Sequence, residues 1–152
     1  MICLDASVVV KWFKSGEDKE DLALRLRDEI LSFECETVFN EWLILEIVRA
    51  LTKAEYSFDD AVSSVHDLRD MHQIDVVRII PVSGVLDLAY VLEHNFRLYA
   101  ADAVHLATAI GTNSKYLISE DHHLLRSRIK RFASSRNLTV ASLDEFYGHL
   151  VK

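Results

Sequence analysis

One proline, four glycines and two cysteines in 152 residues leave this chain poor in the residues that break, hinge or staple a fold. Four glycines are too few to assemble a glycine-rich phosphate loop or a dinucleotide fingerprint, which argues against nucleotide-cofactor chemistry. Cys3 and Cys35 both lie in apolar stretches and make neither a disulfide framework nor a thiolate metal site; they read as buried free thiols. No apolar run reaches the length of a membrane span, and Met1-Ile2-Cys3-Leu4-Asp5 meets a charge too early for a signal peptide, so the expected location is the cytoplasm. Positive charge is scarce too. Seventeen basic against twenty-four acidic side chains give a net charge of −7, the wrong sign for holding nucleic acid by broad counterion release. Any such contact must be local, and the one run that offers it is Arg126, Arg128, Lys130, Arg131 and Arg136, which taken alone reads as a solvated helix face.

What is present fits a packed globular chain: half the residues are hydrophobic, and the length suits one domain over residues 1–152. Short apolar runs at 2–4, 35–39, 76–82, 116–118 and 138–141 read as strands, with Pro81 closing the third. Between them lie helical patterns: 7–13, 19–33, a helix capped by Asn40 through Trp42, Leu45, Val48 and Leu51, then 58–71, 83–94, 101–110, 120–132 and 143–150. In the helix over 58–71 the apolar side is drawn through Phe58, Val62, Val65 and Leu68. Strands alternating with helices, each strand apolar on both faces, imply an α/β fold: a three-layer α/β/α sandwich on a parallel sheet.

Four acids stand out against apolar surroundings: Asp5, Glu46, Asp102 and Asp121. Each has an ordinary explanation. Asp5 can cap the helix that follows, Glu46 can pair with Arg49 at i+3, and Asp102 and Asp121 can be first-turn acids favoured by the helix dipole. The chemical reading is that they converge. Asp5 and the Ser119-Glu120-Asp121 segment both stand at carboxyl ends of strands, where open α/β sheets build their sites. Carboxylates gathered in such a place need a positive partner, and a divalent cation is the simplest one. That points to metal-dependent hydrolysis of phosphodiesters, in which the ion acidifies water and neutralises charge at phosphorus without a histidine base. Arg49 is read as orienting Glu46, with phosphate contact as its other use. The seven histidines are scattered; His122 and His123, as neighbours on a helix, are set aside as surface residues, and His105 is read as a satisfied, partly buried histidine near Asp102.

The ordered set Leu4-Asp5-Ala6-Ser7, Glu46-Ile47-Val48-Arg49, Ala101-Asp102-Ala103-Val104-His105-Leu106-Ala107-Thr108-Ala109 and Ile118-Ser119-Glu120-Asp121 resembles the PIN-domain nucleases, and among them the small VapC-type toxins. The resemblance covers the chain from Ile2 to about Phe146. It implies a five-stranded parallel sheet, a homodimer, and an acidic pocket holding Mg²⁺ or Mn²⁺ for endoribonuclease cleavage of RNA, with a small antitoxin protein as partner. Position by position it assigns Asp5, Glu46, Asp102 and Asp121 as metal-binding and catalytic, with Ser7 and Ser119 as supporting polar groups. Glu120 is an extra carboxylate at that corner, and Asp121 is preferred over it. Two alternatives stay open: an RNA-processing PIN nuclease without an antitoxin, and a non-catalytic adaptor whose acids are only caps and ion pairs. A phosphatase using Asp5 as nucleophile would need a second aspartate two residues on, where Ser7 stands.

Overall fold

A computed structural model describing residues 1–150 forms five strands: β1 Ile2–Leu4, β2 Thr37–Asn40, β3 Val77–Ile80, β4 Tyr116–Ile118 and β5 Thr139–Ala141. All neighbouring pairs are parallel, in the order β3-β2-β1-β4-β5. The period-2 alternation of a strand sends Ile2, Leu4, Phe39, Ile118 and Ala141 into one apolar cluster and Cys3, Val38, Leu117 and Val140 into another. β1, β2, β4 and β5 are thus covered on both sides, as a parallel sheet requires, while the edge strand β3 leaves Arg78 exposed.

The first cluster is roofed by α1 Ala6–Val9, α2 Glu20–Leu31, α3 Trp42–Lys53, α4 Phe58–Gln73 and α8 Leu143–Leu150. The second is roofed by α5 Leu86–Phe96, α6 Ala100–Gly111 and α7 Ser127–Ser134. The expected three-layer α/β/α sandwich is therefore the observed fold. Among the described residues no helix is long and apolar enough to cross a membrane.

Two local readings are corrected. The core side of α4 is Ala61, Ser64, Leu68 and Met71, while Phe58 is 80% exposed. Small residues take the face against the core there, and a count of large apolar side chains cannot see them. Ser57 and Asp60 close the start of α4 as a capping box. The helix expected over 120–132 begins only at Ser127, because side chains satisfy the preceding backbone: Asp121 Oδ1 accepts from the His123 N–H at 2.6 Å, and Ser119 Oγ accepts from the Asp121 N–H at 2.9 Å.

The chain lays down β1, β2 and β3 toward one edge, then returns to build β4 and β5 on the other side of β1. Strand order reverses between β1 and β4. Beyond their carboxyl ends the connections part to opposite faces, the place where sheets of this type form their ligand-binding crevice.

Candidate active site

Asp5 leaves β1 at that crevice and is 3% exposed. It does cap α1, accepting the Ser7 N–H at 3.2 Å, as the structural reading of the sequence anticipates. More than capping holds it. The hydroxyls of Ser7 and Ser119 both donate to Oδ2, the second at 2.9 Å. Ser7 Oγ in turn accepts the Glu120 N–H at 2.8 Å, so the segment after β4 is stitched to the start of α1. Both serines expected as supporting groups thus touch Asp5 directly.

Asn40, fully buried at the end of β2, performs a similar service for two helices. Its carbonyl oxygen accepts the Trp42 N–H at 3.0 Å at the start of α3, and its amide donates to Thr108 of α6 at 3.1 Å. Those helices carry Glu46 and Asp102. Between the carboxylates stands His105, fully buried one turn after Asp102. Its Nε2 lies 2.5 Å from Glu46 Oε2 and 3.5 Å from Asp5 Oδ1. Burial opposes protonation of this imidazole, yet Asp5, Glu46 and Asp102 together outweigh it, and its pKa is raised above the ordinary 6.5.

Asp102 is 7% exposed, and its Oδ2 is buried with no hydrogen-bond partner among the described residues. Its pKa is pushed up to about 7, first by desolvation and then by the charges of Asp121, Asp5 and Glu46, against a smaller opposing pull from His105. All four expected acids therefore share one electrostatic environment. Glu120 does not. Its carboxylate pairs with Lys19 at 2.8 Å and accepts the Leu143 N–H at 2.7 Å, capping α8. Arg49 is exposed and makes no bond to Glu46 among the described residues. The group holding Glu46 is His105, which the sequence suggests is a satisfied, partly buried histidine near Asp102; it is instead fully buried, and among the described residues its Nδ1 has no hydrogen-bond partner.

His122 and His123 also depart from expectation, since they occupy a turn and not a helix. Their ring centroids are 3.9 Å apart, and with Asp121 they can bring one donor atom each within 4.8 Å of one another.

The arrangement has the composition of a divalent-cation site: oxygen donors in excess, a buried carboxylate oxygen without a partner, and carboxylates that repel one another. Residues 2–130 match the PIN domain family. The chain belongs to that family. Solved structures similar to this PIN domain include Mycobacterium tuberculosis VapC20, a sarcin-ricin loop cleaving toxin, at TM-score 0.63 and 18% identity over 80% of this chain and 91% of that one. A toxin-antitoxin complex from Klebsiella pneumoniae is similar at TM-score 0.56 and 16% identity, covering 91% of this chain and 96% of its own. VapBC2 from Rickettsia felis, bound to a DNA fragment from its promoter, matches at TM-score 0.57 and 17% identity, covering 93% and 98%. These likenesses are of fold. Among curated proteins nothing matches the chain. Membership places this PIN domain among nucleases, and its own residues supply an acidic crevice suited to the chemistry.

Proposed function

We propose that this PIN domain is an endoribonuclease that needs Mg²⁺ or Mn²⁺, with Asp5, Glu46, Asp102 and Asp121 as its metal-binding and catalytic acids. The observation that carries the reading is the buried, unpartnered Oδ2 of Asp102 amid three further carboxylates at the point of strand reversal. A charge-rich cluster with a free buried oxygen is costly unless a cation completes it. Oxygen donors favour a hard ion. When bound, such an ion supplies an acidified water for in-line displacement at phosphorus and offsets charge on the phosphoryl oxygens.

The chain's own contribution is position. Ser7 and Ser119 fix Oδ2 of Asp5, and Oδ1 faces the His105 imidazole. His105 keeps the carboxylate of Glu46 turned inward although that side chain is 28% exposed. The Asn40 amide locks the relative placement of α3 and α6. Preorganised donors of this kind need no rearrangement when substrate arrives.

Similar folds occur in toxin-antitoxin complexes, and this supports reading the protein as the toxin of such a pair. A basic antitoxin segment would complement the acidic crevice, and an inserted arginine would offset its charge. A homodimer belongs to the same reading. Exposed Phe58, Leu86 and Val91 are apolar side chains that a second copy would bury, and sedimentation of the purified protein tests it.

Incubation with single-stranded RNA and Mg²⁺ tests the activity. Cleavage is expected, lost with EDTA and reduced about a hundred- to a thousand-fold in Asp5→Asn, a scale set by the catalytic effect of losing one key electrostatic group. Asparagine caps helices as well as aspartate does, so the variant should stay folded. Equal cleavage by Asp5→Asn would sink the proposal.

A further inference from the structure

Between the end of α5 and the turn after β4 runs an open groove of about 670 Å³, walled by His94, Arg97, Tyr99, His123 and Arg126. Glu93 is the one carboxylate lining it. In a chain of net charge −7 this is a local reversal of sign. Neither arginine joins an ion pair among the described residues. Arg126 spends only its Nε, donating to the His123 carbonyl at 3.0 Å, which steadies the guanidinium and leaves its terminal nitrogens for a ligand.

Tyr99 is 70% exposed, so its ring is open to a ligand from solvent. Its ring is braced edge-on by His123, with centroids 5.1 Å apart at 83°. The groove is also tied to the acidic crevice at two points. Tyr99 immediately precedes α6, three residues before Asp102, and the backbone of His123 donates to the Asp121 carboxylate.

We propose that this groove seats an unpaired nucleotide of single-stranded RNA beside the acidic centre, its base stacked on Tyr99 and its phosphate held by Arg97 and Arg126. The proposal rests on the nuclease reading above. An acidic peptide would use the arginines and leave the tyrosine idle, whereas a nucleotide uses both the π-face and the cations. Because every base has a π-face, such a subsite selects for an unpaired strand and not for a sequence.

The test is made in the Asp5→Asn protein, so that RNA binds without being cut, with a short RNA carrying one 2-aminopurine and Mg²⁺ present. Binding should change the 2-aminopurine emission at one position along the strand. Tyr99→Ala should abolish that change and weaken affinity about ten-fold, within the range for losing one stacked base. Tyr99→Phe should restore both, which a variant acting through misfolding would not. Arg97→Ala and Arg126→Ala should each lower the slope of log affinity against log salt by about 0.7. In the otherwise unaltered enzyme, Tyr99→Ala should raise KM and leave kcat in place.

Undiminished RNA binding and an unchanged signal in Tyr99→Ala would overturn the proposal and leave the groove to a peptide. Cleavage by the unaltered enzyme in the same buffer would then keep the nuclease reading standing. Tyr99-dependent binding with no cleavage by the unaltered enzyme would do the reverse, removing the nuclease reading and upholding the groove.

Discussion

A carboxylate that is 28% exposed beside three others would turn to solvent unless something held it, and for Glu46 that something is the 2.5 Å contact with His105. Replacing this imidazole by an apolar side chain of similar volume, His105→Leu, frees Glu46 and removes the one group whose attraction offsets repulsion on Asp102. Partners that orient metal ligands are worth about 10- to 100-fold in metal affinity. The expected outcome is a loss of that size in Mn²⁺ affinity by calorimetry, with the circular dichroism spectrum unchanged. Unaltered affinity would rule out the positioning role. The four candidate acids stand out in the sequence because a charge in an apolar run is conspicuous whatever the fold, and their role stays a proposal. The partner of Glu46 was not. A single sequence displays neighbours along one helix, hence Arg49 for Glu46 and Asp102 for His105, whereas the actual pair joins α3 to α6 across 59 positions.

The segment from Ser119 to Arg126 makes the same point for an element. Its polar side chains bond the local backbone and hold it as a turn, delaying α7 and keeping Asp121 at the end of β4. The pattern of apolar residues could not reveal this, since Leu124 is buried in the turn as it would be in a helix. The strands were easier, because runs apolar on both faces have few alternatives in a chain with so little proline and glycine. Within the turn, adjacent carboxylates have separate tasks. Glu120 fastens Lys19 and the first N–H of α8, while the Asp121 carboxylate accepts the His123 N–H and its charge raises the pKa of Asp102. Glu120→Gln keeps an acceptor for Leu143 and loses the ion pair with a partly exposed lysine. It should cost about 1 kcal/mol of stability by urea denaturation and leave RNA cleavage intact. Asp121→Asn should retain stability and lose most cleavage. The opposite pattern would transfer the candidate role to Glu120.

At the scale of the molecule, crowding like charges at the strand reversal trades stability for a site, and the trade is readable as pH dependence. Asp102 titrates near 3.8 when unfolded and at about 7 when folded, so between those values the folded chain holds a proton that the unfolded chain has released. Protonation therefore favours the native state, and this contribution is lost as pH rises from about 4 to about 7. His105 acts in the same direction. Its folded pKa lies above 6.5, so its stabilisation is present below that value and fades as pH climbs through the raised one. Glu145, held below its ordinary 4.5 chiefly by its bond to Lys130, has the opposite sign and matters only under more acidic conditions. The metal-free protein should accordingly melt at a higher temperature at pH 6 than at pH 8. A bound divalent ion supplies the same compensation as the protons and stabilises by mass action, so Mn²⁺ should raise the melting temperature more at pH 8 than at pH 6. Asp102→Asn should flatten the pH dependence and weaken the response to Mn²⁺ together. Calorimetric scans at both pH values, with and without the ion, measure all four quantities. A metal-free protein that melts higher at pH 8, or a variant that retains both dependences, would show that the acids do not share one crowded field.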